Sequence, residues 1–387
     1  MERALNLHLV LDALGVHPIL TQHSTNPSRS TQRLDSPPSE SPTAEDWEPA
    51  LPTAEELQML IARTEVQLFL HQRDFPFELL RSAWYLHGVA SARSAEVTYT
   101  ATRQRNAFSL SAHIFDLASD SDNSPLIERL KFAFGAEVGY HRSEKPPNAL
   151  AVARRVEPYL AGRDEVLENL DILALEAGVA FLGLDVLQLR AKLALWRPAL
   201  ADFAARIGLD DLTATVFAPT YCVVESVHEM VEFLALGERG ALERAQGLLT
   251  IALSVGAGAG DHDARWVASH LLFVGQELEA GSVWTILPTD IPSGAKQAFT
   301  LAPATVLSLW PPQRKLLGQE DSQGERLARS ALDVESRRIV LSVPTSAGKT
   351  LISELLTISY LSQNAERRRC LLHSPTKELG SRNSTRP

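Results

Sequence analysis

The tripeptide Gly348-Lys349-Thr350 lies between a short apolar run and a helix-forming stretch, an order that few folds accommodate. Ile339 to Val343 is a β-branched apolar run, typical of a strand buried in a parallel sheet. Leu351 to Leu361 places leucines at helical spacing. The pattern therefore predicts a strand, a tight turn at the glycine and a helix that begins close to Lys349.

A turn of this kind can bind phosphate. Backbone N–H groups at the start of a helix converge on an anion, and the helix dipole favours negative charge there. Lys349 would neutralise the β and γ phosphates of a nucleotide, and the Thr350 hydroxyl would ligate Mg²⁺. The alternative is a glycine turn with a surface lysine, because the tripeptide alone also arises by chance in chains of this length.

The residues around the tripeptide resemble motif I of superfamily 2 helicases, the DEAD/DEAH-box and Ski2-like group, which commonly reads Pro-Thr-x-x-Gly-Lys-Thr. The full P-loop pattern has a glycine where this chain has Val343, and the family carries a small residue there. The resemblance implies a RecA-like lobe that binds ATP and Mg²⁺, with Lys349 and Thr350 as catalytic residues and Thr350 as the metal ligand. The nucleotide-binding residues it implies are Pro344, Thr345, Ser346, Ala347, Gly348, Lys349 and Thr350.

A second stretch resembles motif Ia of the same family, which usually reads Pro-Thr-Arg-Glu-Leu. The apolar run 370–373 is followed by Pro375, Thr376, Lys377 and Glu378. In that family this motif touches the nucleic-acid backbone. A hydroxyl and a lysine at the end of a strand can contact phosphates without reading bases, so the resemblance implies DNA or RNA as a partner.

Upstream, the stretch 309–313 is similar to the Q-motif region, in which a glutamine reads the adenine edge of ATP. The carboxamide of Gln313 can both donate to and accept from adenine. The segment between Gln313 and Lys349 is longer than in the family, and the alternative is a proline-rich turn with an exposed glutamine.

Hydrolysis in this family also needs an acidic motif II and arginines from a second lobe. No such motif follows Leu379, and the last eight residues are polar and rich in helix breakers. We therefore expect an N-terminal fragment of a helicase, truncated after motif Ia, inactive in hydrolysis alone and partnered by a complementing C-terminal half. Two other interpretations stay open: a different P-loop ATPase, and a helical interaction module with a vestigial nucleotide site.

The expected fold class is a mainly α N-terminal region followed by an incomplete α/β RecA-like P-loop lobe. Thr53 and Glu56 have the spacing of a capping box and predict a helix start, whereas alternating apolar residues at 96–112 favour a hairpin or edge strands. Helix breaks are expected at Pro198, at Pro219 and at the glycine-rich stretch 256–260. The predicted segments are an N-terminal helix at 1–22, a disordered linker at 23–52, a mixed α/β or helical region at 53–157, an all-helical domain at 158–287, a connector at 288–308 and the partial lobe at 309–387.

The composition, 45% hydrophobic and 22% charged over 387 residues, is that of a globular protein, and the net charge of −10 argues against a uniformly basic nucleic-acid-coating protein. Two cysteines without a CxxC pair support neither a disulfide framework nor a cysteine zinc site. No uninterrupted apolar run reaches the roughly 18 residues that cross a bilayer. The apolar stretch 4–20 contains polar residues and predicts an amphipathic helix, not a signal peptide. We expect a cytoplasmic protein without a membrane partner.

Overall fold

The computed structural model describes residues 51–71, 77–92, 101–120, 124–160, 170–183, 185–206, 212–254, 262–285, 294, 299, 309, 313, 317 and 349–363. The chain divides into two units, Met1–Ala280 and Gly281–Pro387. The described part of the first unit is a succession of helices: α1 (Ala54–Leu70), α2 (Phe77–Ala92), α3 (Ala101–Ser119), α4 (Leu126–Arg142), α5 (Pro146–Leu160), α6 (Leu170–Leu182), α7 (Val186–Arg206), α8 (Leu212–Leu236), α9 (Arg239–Ser254) and α10 (His262–Gly281).

Neighbours in sequence pack against each other in this unit. Helix α4 lies against α3, α5 and α6, and α8 lies against α6, α7 and α9. Small residues let the helices come close, since a Cβ added at Gly139 of α4 would lie 2.8 Å from the Phe108 carbonyl oxygen of α3. The core is made of the large side chains that these faces share: Phe108, Phe115, Phe134, Phe181, Phe233 and Trp266.

The start of α1 is the one that the capping-box spacing predicts. The Glu56 N–H donates to Thr53 Oγ1 at 3.2 Å, and the Thr53 N–H donates to Glu56 Oε2 at 2.7 Å. The backbone bond lowers the pKa of the Glu56 carboxyl, since it favours the ionised form. Each side chain thus pairs an N–H group that would otherwise have no partner in the helix.

The hairpin or edge strands predicted at 96–112 are wrong for the residues that are described. Positions 101–112 belong to α3, which runs on to Ser119. The buried residues Phe108, Phe115 and Ala118 are separated by seven and by three positions, which places them on one helix face. A few apolar residues in a short run fit both the two-residue period of a strand and the 3.6-residue period of a helix. Packing against α2 and α4 stabilises the helix here.

The breaks predicted at Pro198 and Pro219 are also wrong, because both prolines lie inside helices, α7 and α8. An interior proline removes a backbone hydrogen bond and costs roughly 3 kcal/mol. Trp196 and Leu200, on either side of Pro198, are 5% and 0% exposed. Their burial offsets the local cost.

Helix α4 ends at Arg142, and Glu144, two residues later, has left-handed backbone at φ 62°. The Glu144 N–H donates to the His141 carbonyl at 3.1 Å, and the Lys145 N–H donates to the Tyr140 carbonyl at 2.8 Å. This is the Schellman cap, in which glycine is the usual residue. The Glu144 carboxylate also pairs with Arg105 at 2.8 Å, on the protein surface.

We expect Glu144→Gly to be more stable than Glu144→Gln by about 0.5–1 kcal/mol, because glycine adopts this φ without a clash between Cβ and the backbone. Both variants lose the Arg105 pair, so their difference reports the backbone alone. Urea denaturation of the two proteins side by side measures it. A glycine variant less stable than the glutamine variant would contradict the expectation.

The second unit is described at fewer positions. The Leu309 N–H donates to the Gly281 carbonyl at 2.7 Å, and the rings of Trp284 and Phe299 lie 6.1 Å apart. One longer helix, α11 (Lys349–Gln363), belongs to this unit.

The predicted fold class is corrected by these elements. The described residues form eleven α-helices and a short 3₁₀ turn without a strand, so no α/β RecA-like lobe is visible at 309–387. The expectation rested on apolar runs at 339–343 and 370–373, which lie outside the described residues, as do the predicted segment 1–22 and the part 23–50 of the predicted linker. Periodicity alone cannot assign a short apolar run to a strand, because buried helix segments show the same run.

None of the described helices is both long enough and apolar enough to cross a membrane.

Candidate functional site

The helix predicted after the Gly-Lys-Thr tripeptide is present, and its described part runs from Lys349 to Gln363. Leu351, Ile352 and Leu355 are 7%, 0% and 0% exposed, so one face of α11 is buried. Lys349 and Thr350, which follow Gly348 directly in the sequence, therefore belong to a helix.

Gln313 is the third predicted site residue that the structure describes. Its carbonyl accepts a hydrogen bond from the Leu317 N–H at 2.9 Å, and the residue is only 3% exposed. The alternative of an exposed glutamine in a turn is therefore wrong. The remaining predicted site residues, 344–348 and 375–378, lie outside the described part of the chain.

Sequence reasoning missed a buried histidine pair in the first unit. His87 of α2 and His270 of α10 face each other with their Nε2 atoms 3.3 Å apart, so that one ring donates its N–H and the other accepts. The two residues are 0% and 7% exposed. The available signal was the spacing of His270 from Trp266 and Phe273, four and three positions away on one helix face.

Aromatic rings surround the pair. The Trp266 ring lies 5.6 Å from that of His270 and 6.4 Å from that of His87, and the Phe115 and Phe134 rings lie within 6.1 Å of one histidine or the other. Such edge-to-face contacts bury apolar surface, and they also favour particular positions of the rings. The pair therefore fixes α2 against α10 inside the bundle.

Burial decides the charge of these groups. Loss of hydration and, to a smaller extent, the nearby Arg142 guanidinium lower the pKa of His87 to about 3. The pKa of His270 is lowered well below 6.5 by burial, then by His87 and Arg142. Both imidazoles are thus neutral at physiological pH and supply no cation for a phosphate.

Arg142 is the cation next to this pair. Its guanidinium carbon lies 3.2 Å from the ring centre of Phe273 and 4.9 Å from that of Phe108. Burial lowers its pKa to about 10, an effect that Glu277 opposes. The arginine stays charged, and ring faces and a carboxylate stabilise its charge.

Glu137 of α4 is a carboxyl group in the core, at 0% exposure, and neither of its oxygens has a hydrogen-bond partner. Burial raises its pKa well above 4.5, so the folded protein favours the protonated form. No group of three or more histidine, cysteine or acidic side chains that could hold a metal ion occurs among the residues described.

No family model matches this chain, and no curated protein matches it. The functional argument therefore rests on the chain's own residues.

Proposed function

We propose that this chain binds ATP with Mg²⁺ at Gly348-Lys349-Thr350, as the ATP-binding and nucleic-acid-binding part of a superfamily 2 DEAD/DEAH-box helicase. The observation that supports the proposal is that Lys349 and Thr350, directly after the glycine in the sequence, belong to a helix, α11. A phosphate-binding turn needs a helix to begin at this position, because the free N–H groups and the positive end of the dipole must meet the anion.

Anchoring of α11 supports the same proposal. Leu351 and Ile352 are both buried, and their burial holds this part of α11 at a fixed place. Preorganised donors bind an anion without losing conformational entropy on binding. Lys349 then supplies the charge for the β and γ phosphates and Thr350 the hydroxyl for Mg²⁺.

The sequence predicts further contacts of the proposed site with ATP and with nucleic acid. Pro344 to Ala347 complete the loop around the phosphates, and Gln313 reads the adenine edge. Pro375 to Glu378 contact the backbone of DNA or RNA, with Lys377 as the cation. A helicase needs both ligands, since it couples the nucleotide site to movement along nucleic acid.

Lys349→Ala should weaken binding of a fluorescent ATP analogue in the presence of Mg²⁺ by at least about tenfold, because it removes the cation from the triphosphate. The matched control is Lys296→Ala, a lysine of the same unit outside the predicted motifs, which should leave the affinity unchanged. Titration by fluorescence anisotropy measures all three proteins. Equal affinity of wild type and Lys349→Ala, or no binding by either, would overturn the proposed site.

Two variants of Thr350 test whether its hydroxyl ligates Mg²⁺. Thr350→Ser keeps the hydroxyl and should keep the Mg²⁺ dependence of binding, whereas Thr350→Val should lose it. Repeating the titration with a labelled single-stranded oligonucleotide separates a helicase from another P-loop ATPase. The helicase requires binding that weakens in Lys377→Ala and falls with added salt.

A further inference from the structure

Helix α1 is apolar on two opposite faces. Leu57 and Ile61 point into the bundle and are 0% and 2% exposed. On the opposite face Met59, Val66 and Leu70 are 64%, 59% and 68% exposed. A helix that is apolar on both sides is typical of one packed between two partners, and only one of these partners is provided by α2 and α3.

The exposed apolar residues of α1 lie on the side of the helix that faces away from Leu57 and Ile61. Met59, Val66 and Leu70 recur at spacings of seven and four along one stripe, and Phe69 is 75% exposed. We call these four residues the outer patch. Together they expose on the order of several hundred Å², the size at which an apolar patch on a single chain marks an interaction site.

We propose that the outer patch is the docking site of residues 4–20 of the same chain. The sequence of this segment provides the complement, because Leu7, Val10, Leu11 and Leu14 stand at positions i, i+3, i+4 and i+7 of the predicted amphipathic helix. A stripe of that spacing packs into the side of another helix. The proposal is independent of nucleotide binding.

The connection between the two elements favours this occupant. Residues 21–52 join the segment to Thr53, which is the N-cap of α1. The disordered linker that the sequence predicts over most of this stretch would have a root-mean-square span of about 30 Å. Helix α1, with 17 residues, is about 25 Å long, so the segment can reach every part of the outer patch.

The local concentration of each candidate favours this segment over a second copy of the chain as the occupant of the outer patch. A tether of this length gives an effective concentration in the millimolar range. A second copy at micromolar concentration would need an affinity for the outer patch about a thousandfold higher to compete equally. The tethered segment therefore occupies the patch first.

Hydrogen exchange of the full-length chain tests the proposal. Amides of residues 5–20 should exchange at least tenfold more slowly in the wild type than in Val66→Lys, which places a charge in the outer patch. Glu65→Lys is the matched control, since it puts the same side chain on the neighbouring exposed position of α1 and should keep the slow exchange. Leu11→Lys and Asp12→Lys form the reciprocal pair on the segment.

The slow exchange should also be the same at 1 and 100 µM protein, with the mass of a single chain by light scattering. Fast exchange of 5–20 in the wild type would overturn the proposal, and so would slow exchange that neither Val66→Lys nor Leu11→Lys accelerates. Protection that grows with concentration together with a doubled mass would assign the outer patch to a second copy instead.

Discussion

Trp266→Ala should lower the free energy of unfolding by about 3–5 kcal/mol, the range of a fully buried large aromatic residue. The side chain is 2% exposed, and its ring lies 5.3 Å from that of Trp84 and 5.0 Å from that of Phe134. These rings come from α2, α4 and α10, so one truncation opens a cavity at the meeting point of three helices.

Urea denaturation followed by far-ultraviolet circular dichroism measures this effect. Leu195→Ala is the control, because Leu195 is 67% exposed on α7 and its truncation should change stability by no more than about 0.5 kcal/mol. Trp266→Phe keeps a ring in the cavity and should cost less than Trp266→Ala, which keeps the comparison usable if the alanine variant does not fold. Equal stability of Trp266→Ala and Leu195→Ala would show that the three helices do not meet at this ring.

Acid should destabilise the protein well above the pH at which its carboxylates protonate. The folded state holds His87 with a pKa of about 3, whereas an unfolded chain has an ordinary histidine pKa of 6.5. Below pH 6.5 the His87 imidazole is therefore protonated in the unfolded state but stays neutral in the folded state. The stability associated with neutral His87 is present above pH 6.5 and is lost as the pH falls towards 3.

The slope of that loss follows from linkage. Each histidine of the pair lowers the free energy of unfolding by up to about 1.4 kcal/mol per pH unit in this window. His270 contributes with the same sign, because its pKa is also lowered. Glu137 contributes with the opposite sign, since its pKa is raised: its share is present below pH 4.5 and is lost as the pH rises.

Unfolding free energies between pH 7.5 and 4.5 measure this slope. His270→Gln keeps a side chain that can hydrogen-bond to His87 but does not titrate, so the slope should fall by up to about 1.4 kcal/mol per pH unit. His71→Gln is the matched control, because His71 is exposed at the end of α1 and the slope should stay as in the wild type. An unchanged slope in His270→Gln would contradict a neutral buried pair.

A local signal in the sequence predicted one helix start correctly. The capping box of Thr53 and Glu56 starts α1, and the helix predicted after the Gly-Lys-Thr tripeptide is present as α11. A capping box is complete within a few residues, because a cap is a set of contacts between neighbours along the chain. The residues of the proposed nucleotide site stay a prediction from an equally local pattern.

Interactions between distant residues decided what local patterns could not. The run at 101–112 is helical, and Pro198 lies within a helix, because burial against neighbouring helices outweighs local preference. The α/β expectation failed on the same ground, since an apolar run states that a segment is buried but not which elements cover it.

The sequence by itself determined where α1 is capped and that a helix follows the Gly-Lys-Thr tripeptide. Only the tertiary structure decided that His87 and His270, 183 positions apart, meet in the core, and that α1 keeps an apolar face away from the bundle. Caps and periodicity depend on residues that are close in sequence. The partner of a buried polar group or of an apolar face depends on packing between segments that are far apart in sequence.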